Sequence, residues 1–219
     1  LFYENADLST NDKSLFTDSI SKITWLYCLK PETINISAYK DEVREYPEVE
    51  VIEVLLHKDY KLNRIAEIIM RTIPYPMVLI FKLEGKDKFY VAHQRTNQSD
   101  SSKNTIEEFI ATDWLESDSD LLAKLDIKQM QFTNFYTLYS DIVDAISVYN
   151  LSVIMPTDDT ITGEKAREIT AKVEEIEQKI ISLRSKLHKE SQFNRKMELN
   201  IKIKRLEQNK EKLLGGDIE

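Results

Sequence analysis

Glycine and proline are scarce in this chain of 219 residues, at four and five. It is therefore not assembled from the many tight turns that short-stranded all-β proteins need, and helices should dominate. Cysteine is nearly absent. The single Cys28 excludes an intramolecular disulfide, and its place inside an apolar run predicts a core thiol in a reducing, cytoplasmic compartment. No apolar run approaches the roughly 20 residues that cross a bilayer, and no basic-then-apolar leader opens the sequence, so neither export nor a membrane role is expected. The chain begins with Leu1 rather than Met, and its true start, with any targeting segment, is expected to be missing or trimmed.

Motifs for common chemistries are missing as well. The three histidines, His57, His93 and His188, lie at no ligand spacing from one another or from Cys28, which argues against a structural zinc site. There is no Gly-x-Ser-x-Gly elbow and no Rossmann fingerprint, and Thr162-Gly163-Glu164-Lys165 lacks the glycine-rich loop of a phosphate site, so it reads as a linker and helix start. The acidic residues 116–120 lack the length and glycine of a calcium loop. No cofactor and no catalytic residue are expected.

Apolar residues make up 42% and charged residues 31%, a composition that folds rather than one that stays disordered. The net charge of −8 is unevenly placed: residues 161–219 carry 14 Lys/Arg against 11 Asp/Glu, which leaves −11 on residues 1–160. An acidic domain repels phosphate, so DNA should be met only indirectly.

Residues 12–23 place Leu15, Phe16, Ser19, Ile20 and Ile23 at helical spacing behind a cap at Asn11 or Asp12. The run from Ile23 to Leu29, ended by Pro31, predicts a strand that continues as a looser extended stretch through Ile34 and Ile36. Residues 37–47 are polar. Residues 49–56 are apolar on both faces, as a central strand requires. Leu62, Ile65, Ala66, Ile69, Met70 and Ile73 mark an amphipathic helix that Pro74 and Pro76 stop. Residues 77–83 and 89–92 should pair as a hairpin across Glu84-Gly85-Lys86-Asp87. The predicted fold is α/β, in the α+β sense: a mixed sheet in αββαββ order with flanking helices. A loop over 96–103 and helices over 104–115 (Asn104 as cap, with Glu107 three residues on), 121–125 and 135–149 complete it.

The clearest regularity comes last. Ile169, Val173, Ile176, Ile180, Leu183 and Leu187 form an a/d seam, and Leu199, Ile203, Leu206 and Leu213 form a second after a polar phase break, with Lys210 at one seam position. This predicts a C-terminal antiparallel helical hairpin, a coiled coil whose arms of about 30 to 36 Å project from the domain. The alternative is one rod of roughly 75 Å that dimerises the chain. The expected divisions are an α/β domain over 1–156, a linker over 157–163 and the hairpin over 164–219.

One strand carries a cluster of acids. Glu48, Glu50 and Glu53 lead to His57 and Lys58, and metal-dependent nucleases place magnesium ligands on such strands. Those enzymes use an acid-x-Lys triplet, which neither Glu50-Val51-Ile52 nor Glu53-Val54-Leu55 supplies. A degenerate nuclease site of Glu50, Glu53 and Lys58 is thus the alternative to an ordinary salt-bridged strand face. His93-Gln94-Arg95 reads as a solvated strand end, with contact to phosphate or a carboxylate as its functional alternative.

Taken together, Leu1-Phe2-Tyr3-Glu4-Asn5, Ile23-Thr24-Trp25-Leu26-Tyr27, Ile73-Pro74-Tyr75-Pro76 and the stretch from Gln192 to Asn200 resemble the bacterial domain-of-unknown-function family 4391 over nearly the whole chain. The resemblance implies a setting rather than a reaction: proteins encoded beside helicases and DNA methyltransferases in restriction-like, antiphage clusters. It implies no catalytic residues. A non-enzymatic accessory subunit that docks on a helicase or methyltransferase through its hairpin is therefore expected. The contact would be Phe193, Arg195, Met197 and Asn200, with Gln192 and Asn194 shaping the turn.

Overall fold

A computed structural model describes residues 8–96, 104–116, 119–158 and 160–215. The chain divides into two compact units, Leu1–Ile146 and Ser147–Glu219.

The first unit opens with helix α1 (Thr10–Ser19), started by a capping box between Ser9 and Asp12. Strand β1 (Ile20–Leu29) follows without a loop, three residues earlier than the apolar run suggests. The expected extended stretch after Pro31 is instead a single helical turn, α2 (Pro31–Ile34): proline suits its first position, the Thr33 hydroxyl takes the Lys30 N–H at 2.9 Å, and Asn35 closes it in the left-handed region. Strands β2 (Tyr39–Lys40) and β3 (Glu45–Tyr46) make a small ladder of their own.

Strand β4 (Val49–Leu56) lies inside the sheet, as its two apolar faces predict. It pairs antiparallel with β1 and parallel with β5 (Met77–Leu83), and the crossover is helix α3 (Leu62–Thr72). The α3 side chains Leu62, Ile65, Ala66, Ile69 and Met70 join Leu15 and Phe16 of α1 with Ile52, Val54, Leu79 and Phe81 of the sheet in one core. Arg64 of α3 holds Asp12 of α1 with two 2.9 Å hydrogen bonds, so the cap of one helix is tied to the other. Its guanidinium keeps the Asp12 carboxyl well below the usual range. Strand β6 (Lys86–Thr96) turns back from β5 at Glu84-Gly85, where both residues have positive φ, the two-residue turn that matches strand twist and favours glycine.

Residues 104–111 are not helical. They form β7 (Asn104–Ala111), which pairs antiparallel with β6 and ends the sheet in the order β1-β4-β5-β6-β7. The cap-like Asn104 and Glu107 misled because Thr105, Ile106 and Ile110 are β-branched, and β6 offers them a ladder that no local pattern reveals. The predicted loop over 96–103 begins after β6, and its residues 97–103 lie outside the described residues, as do Leu1 to Asn5 of the family motif.

A register shift between Ala92 and Gln94 interrupts the β6–β7 ladder, and two buried tyrosines serve the backbone there. The Ala92 N–H bonds to the Tyr139 hydroxyl at 3.1 Å, which in turn donates to the Met77 carbonyl at 2.8 Å. The Gln94 N–H bonds to the Tyr46 hydroxyl at 3.1 Å. Tyr139 comes from helix α5 (Phe135–Ile154), which follows the short helix α4 (Asp120–Lys124) and a 3-10 turn at Ile127–Gln129. Asn134 caps α5, its side-chain oxygen accepting from Thr137 N at 3.0 Å.

The second unit holds the end of α5 and two long helices, α6 (Gly163–Lys189) and α7 (Phe193–Leu214). Leu151 of α5 is buried with Ala166, Ile169 and Val173 of α6, and the Arg167 guanidinium donates to the Ser147 hydroxyl at 3.2 Å.

Candidate functional site

Helices α6 and α7 form the antiparallel hairpin that the two seams predict. Ile169, Val173, Ile180 and Ile203 are its buried seam residues, and the order of the cross-helix ion pairs fixes its direction: Arg184 to Glu207 at 2.7 Å and Glu177 to Lys210 at 2.9 Å. A single unbroken rod is incompatible with these pairs. The reversal is built by Glu190. Its N–H closes α6 on the Lys186 carbonyl at 3.1 Å, while its carboxylate accepts the N–H groups of Ser191 and Gln192, both at 2.9 Å. Those donors hold the Glu190 carboxyl below its ordinary range. Gln192 is the N-cap of α7, and its carbonyl takes the Lys196 N–H at 3.0 Å.

Around this reversal the hairpin leaves large apolar side chains in water. Phe193 is 73% exposed, Met197 51% and Ile201 49%. They recur at i, i+4 and i+8, so they form one stripe, and the seam residues Leu199, Ile203 and Leu206 occupy other columns of the same helix. Asn194, Arg195 and Asn200 are exposed around the stripe, and Arg195 lies 4.0 Å from Glu190. Of the predicted contact residues, Phe193 and Met197 thus share a face; Gln192 is the N-cap of α7 without a side-chain cap bond, and Asn194, expected to shape the turn, lies within α7. Ile201 was missed; its signal is an isoleucine off the seam, four residues after Met197. The setting is basic: between Arg184 and Arg205 the sequence has eight Lys/Arg and two Asp/Glu. An exposed apolar stripe set among cations is the kind of surface that protein contacts use.

The second candidate is the acidic strand. Glu50 and Glu53 project to opposite faces of β4, three residues apart. Glu53 lies 3.8 Å from Lys82, which also pairs with Asp87 at 3.1 Å. Lys58 follows the far end of the strand, beyond about 20 Å of extended chain from Glu50, and its ammonium stands 5.7 Å from the centre of the Tyr60 ring. The three residues of the nuclease alternative therefore have three separate settings.

Glu50 instead meets β1. It is fully buried and opposite Cys28 in the ladder, its carboxylate accepts a short hydrogen bond from the Trp25 indole, and the Cys28 thiol donates to it at 3.1 Å. The Glu50 N–H reaches the Pro76 carbonyl at 2.9 Å, and Gln94 donates to the Tyr75 carbonyl at 3.1 Å. Two family-resemblance stretches thus meet at Glu50, Trp25 on its carboxylate and Pro76 on its backbone N–H. Burial raises the Glu50 carboxyl above its ordinary range, and neighbouring Glu48 adds to this. Cys28, expected in the core, is only half-buried because β1 is an edge strand. Burial, then Glu50, pushes its thiol up to about 12. Ligand atoms of Cys28, Glu48 and Glu50 lie within 4.8 Å of one another, close enough to grip a cation. The Trp25 indole and the Cys28 thiol already donate to the Glu50 carboxylate there.

His93, expected at a solvated strand end, is half-buried at the register shift, with Nδ1 2.9 Å from the Tyr46 hydroxyl and its ring against Tyr136 and Tyr139. The chain passes on from His93 through Thr96 because β6 is longer than its apolar part. His57 and His188 are exposed.

A family model described as "Domain of unknown function (DUF4391)" matches residues 1–209. The chain belongs to this family. The match spans the sheet, the Glu50 cluster and both helices of the hairpin up to Asn209, so the DUF4391 unit includes the exposed stripe. No curated protein and no solved structure matches this DUF4391 chain. Among its described residues no helix is long and apolar enough to cross a membrane.

Proposed function

We propose that this chain is a cytoplasmic, non-enzymatic accessory subunit of a DNA-modifying or DNA-translocating assembly of the restriction-like, antiphage kind. It is an adaptor that holds a helicase or DNA methyltransferase through the α6–α7 hairpin and meets DNA through that partner. The observation that supports this reading is the stripe of Phe193, Met197 and Ile201, three large apolar side chains kept in water at the hairpin reversal. Phenylalanine and methionine are enriched where protein surfaces meet, and a helix face with anchors one turn apart is a recurrent docking element. The family resemblance suggests the class of partner.

The test keeps the full chain and changes only exposed positions, Met197→Glu with Ile201→Glu, leaving the buried seam intact. Co-expressed with the helicase or DNA methyltransferase that this reading expects among its gene neighbours, the wild-type chain should co-purify with it, and the double variant should lose about tenfold or more of that recovery, each lost anchor costing above 1 kcal/mol. Equal recovery with the variant, its helical circular dichroism unchanged, overturns the adaptor reading.

A further inference from the structure

We infer that the element seated on the exposed face of α7 is an acidic amphipathic helix of the partner protein. The inference rests on the adaptor reading for the existence of a partner and goes beyond it in naming the partner's chemistry.

The stripe from Phe193 to Ile201 covers about 12 Å, two helical turns at 1.5 Å per residue. Its partner must therefore offer apolar side chains over the same length, which an amphipathic helix does at i, i+3 or i+4, and i+7. Charge then selects among such helices. Lys204 and Arg205 stand three and four residues after Ile201 and so extend the stripe with positive charge, while Lys196 stands three after Phe193 and Lys202 one after Ile201. Lys202, Lys204 and Arg205 have no carboxylate within 4.0 Å among the described residues. Along α6, Lys172 meets Glu168 at 2.6 Å and Lys179 meets Glu175 at 2.6 Å. Glu198 is the single acid between Phe193 and Arg205. Three apolar anchors rimmed by unpaired cations complement a helix with acids beside its apolar row.

The same features disfavour other occupants. A second copy docked through this face about a two-fold axis would bring together two basic segments, each with eight Lys/Arg against two Asp/Glu between Arg184 and Arg205. A nucleic acid supplies anions, but its phosphate backbone has nothing apolar to cover Phe193, Met197 and Ile201.

The probes are two fluorescent 21-residue helical peptides sharing one leucine pattern, with Glu at every other position in one and Lys in the other. Anisotropy with the full chain should show the Glu peptide bound about tenfold or more tightly than the Lys peptide, a preference that shrinks as salt screens the charges. Met197→Glu with Ile201→Glu should abolish Glu-peptide binding. Lys202→Glu with Lys204→Glu and Arg205→Glu should reverse the preference with helical content unchanged. Equal affinities, no binding by the Glu peptide, competition by a DNA oligonucleotide through the stripe, or stripe-dependent self-association overturns the inference. The two readings fail separately. If the charge-reversed chain still holds its neighbour while the stripe variant releases it, the acidic-helix inference falls and the adaptor stands. If the Glu peptide binds as expected while neither neighbour is held, the adaptor falls and the surface chemistry stands.

Discussion

The two units of this chain handle polar groups differently, while both leave large apolar side chains in water, Trp25 and Tyr27 of β1 in the first and the Phe193 stripe in the second. In the first, polar groups are taken inside and matched: Tyr46 and Tyr139 serve the backbone at the register shift, Arg64 holds Asp12, and Glu50 is buried under Trp25 and Cys28. In the second, the buried seam is one row wide, the ion pairs lie on the surface, and large apolar side chains are left in water at the reversal. Buried, satisfied polar groups fix a single arrangement, whereas an exposed apolar stripe stabilises nothing until something covers it. The contrast is one ground for placing the proposed contact on the second unit.

The largest effect that could break this comparison is a cavity in each unit. Phe81 is fully buried, with its ring 5.1 Å from that of Tyr90. Phe81→Ala should cost about 3 to 5 kcal/mol, because a dense sheet core cannot collapse around the hole. Ile203 retains 7% exposure in a two-helix seam. Ile203→Ala should cost about 2 kcal/mol, the low end for such truncations, because side chains and solvent can close on the gap. Urea unfolding of both variants measures the difference, and equal losses would erase the distinction between a deep core and a shallow seam.

How much of this was legible beforehand follows from whether the deciding interactions are local. The hairpin was readable because heptad spacing is a property of consecutive residues, and β4 and α3 were readable for the same reason. Strand β7 was not, since Asn104 and Glu107 mimic a helix start while the ladder that decides the matter is formed with β6, reached across Thr96. The setting of Glu50 was hidden too. Its carboxylate drew attention as part of an acidic run, yet what defines it is Trp25, 25 residues away, and nothing in the spacing of acids indicates that. At the hairpin, Ile201 stands off the seam of Leu199, Ile203 and Leu206, and heptad spacing alone does not say which off-seam residues are left in water.

A middle-sized effect sharpens the claim that buried hydroxyls hold the first unit. Tyr139 is fully buried, its hydroxyl meeting the Ala92 N–H, the Ala92 carbonyl and the Met77 carbonyl. Burial drives its own ionisation well above the ordinary tyrosine range, so it remains a neutral donor. Tyr139→Phe keeps the ring and strands the Ala92 N–H, which should cost about 1 to 3 kcal/mol. Amide exchange read at Ala92 should quicken more than at seam positions of α6. A variant as stable as the parent would mean that the shifted ladder satisfies itself.

The smallest effect is a slope with pH. Glu50 is a carboxyl whose folded value is raised, chiefly by burial. The folded state therefore binds its proton more tightly than the unfolded chain does. The stability this proton provides is fully present below the ordinary value of 4.5 and is lost as pH rises through the raised one, with no further change above it. Asp12 works the other way: its lowered value gives stability that is present above 3.8 and lost as pH falls. Glu50→Gln removes the first contribution and leaves the second. The variant should gain on the parent as pH rises from 4.5 toward neutrality, and Trp25 emission, which reports the indole bound to this carboxylate, should titrate over that window in the parent and stay flat in the variant. Parallel stability curves for the two proteins would show that folding does not raise the Glu50 carboxyl, and burial would then leave no mark on the proton affinity of this side chain.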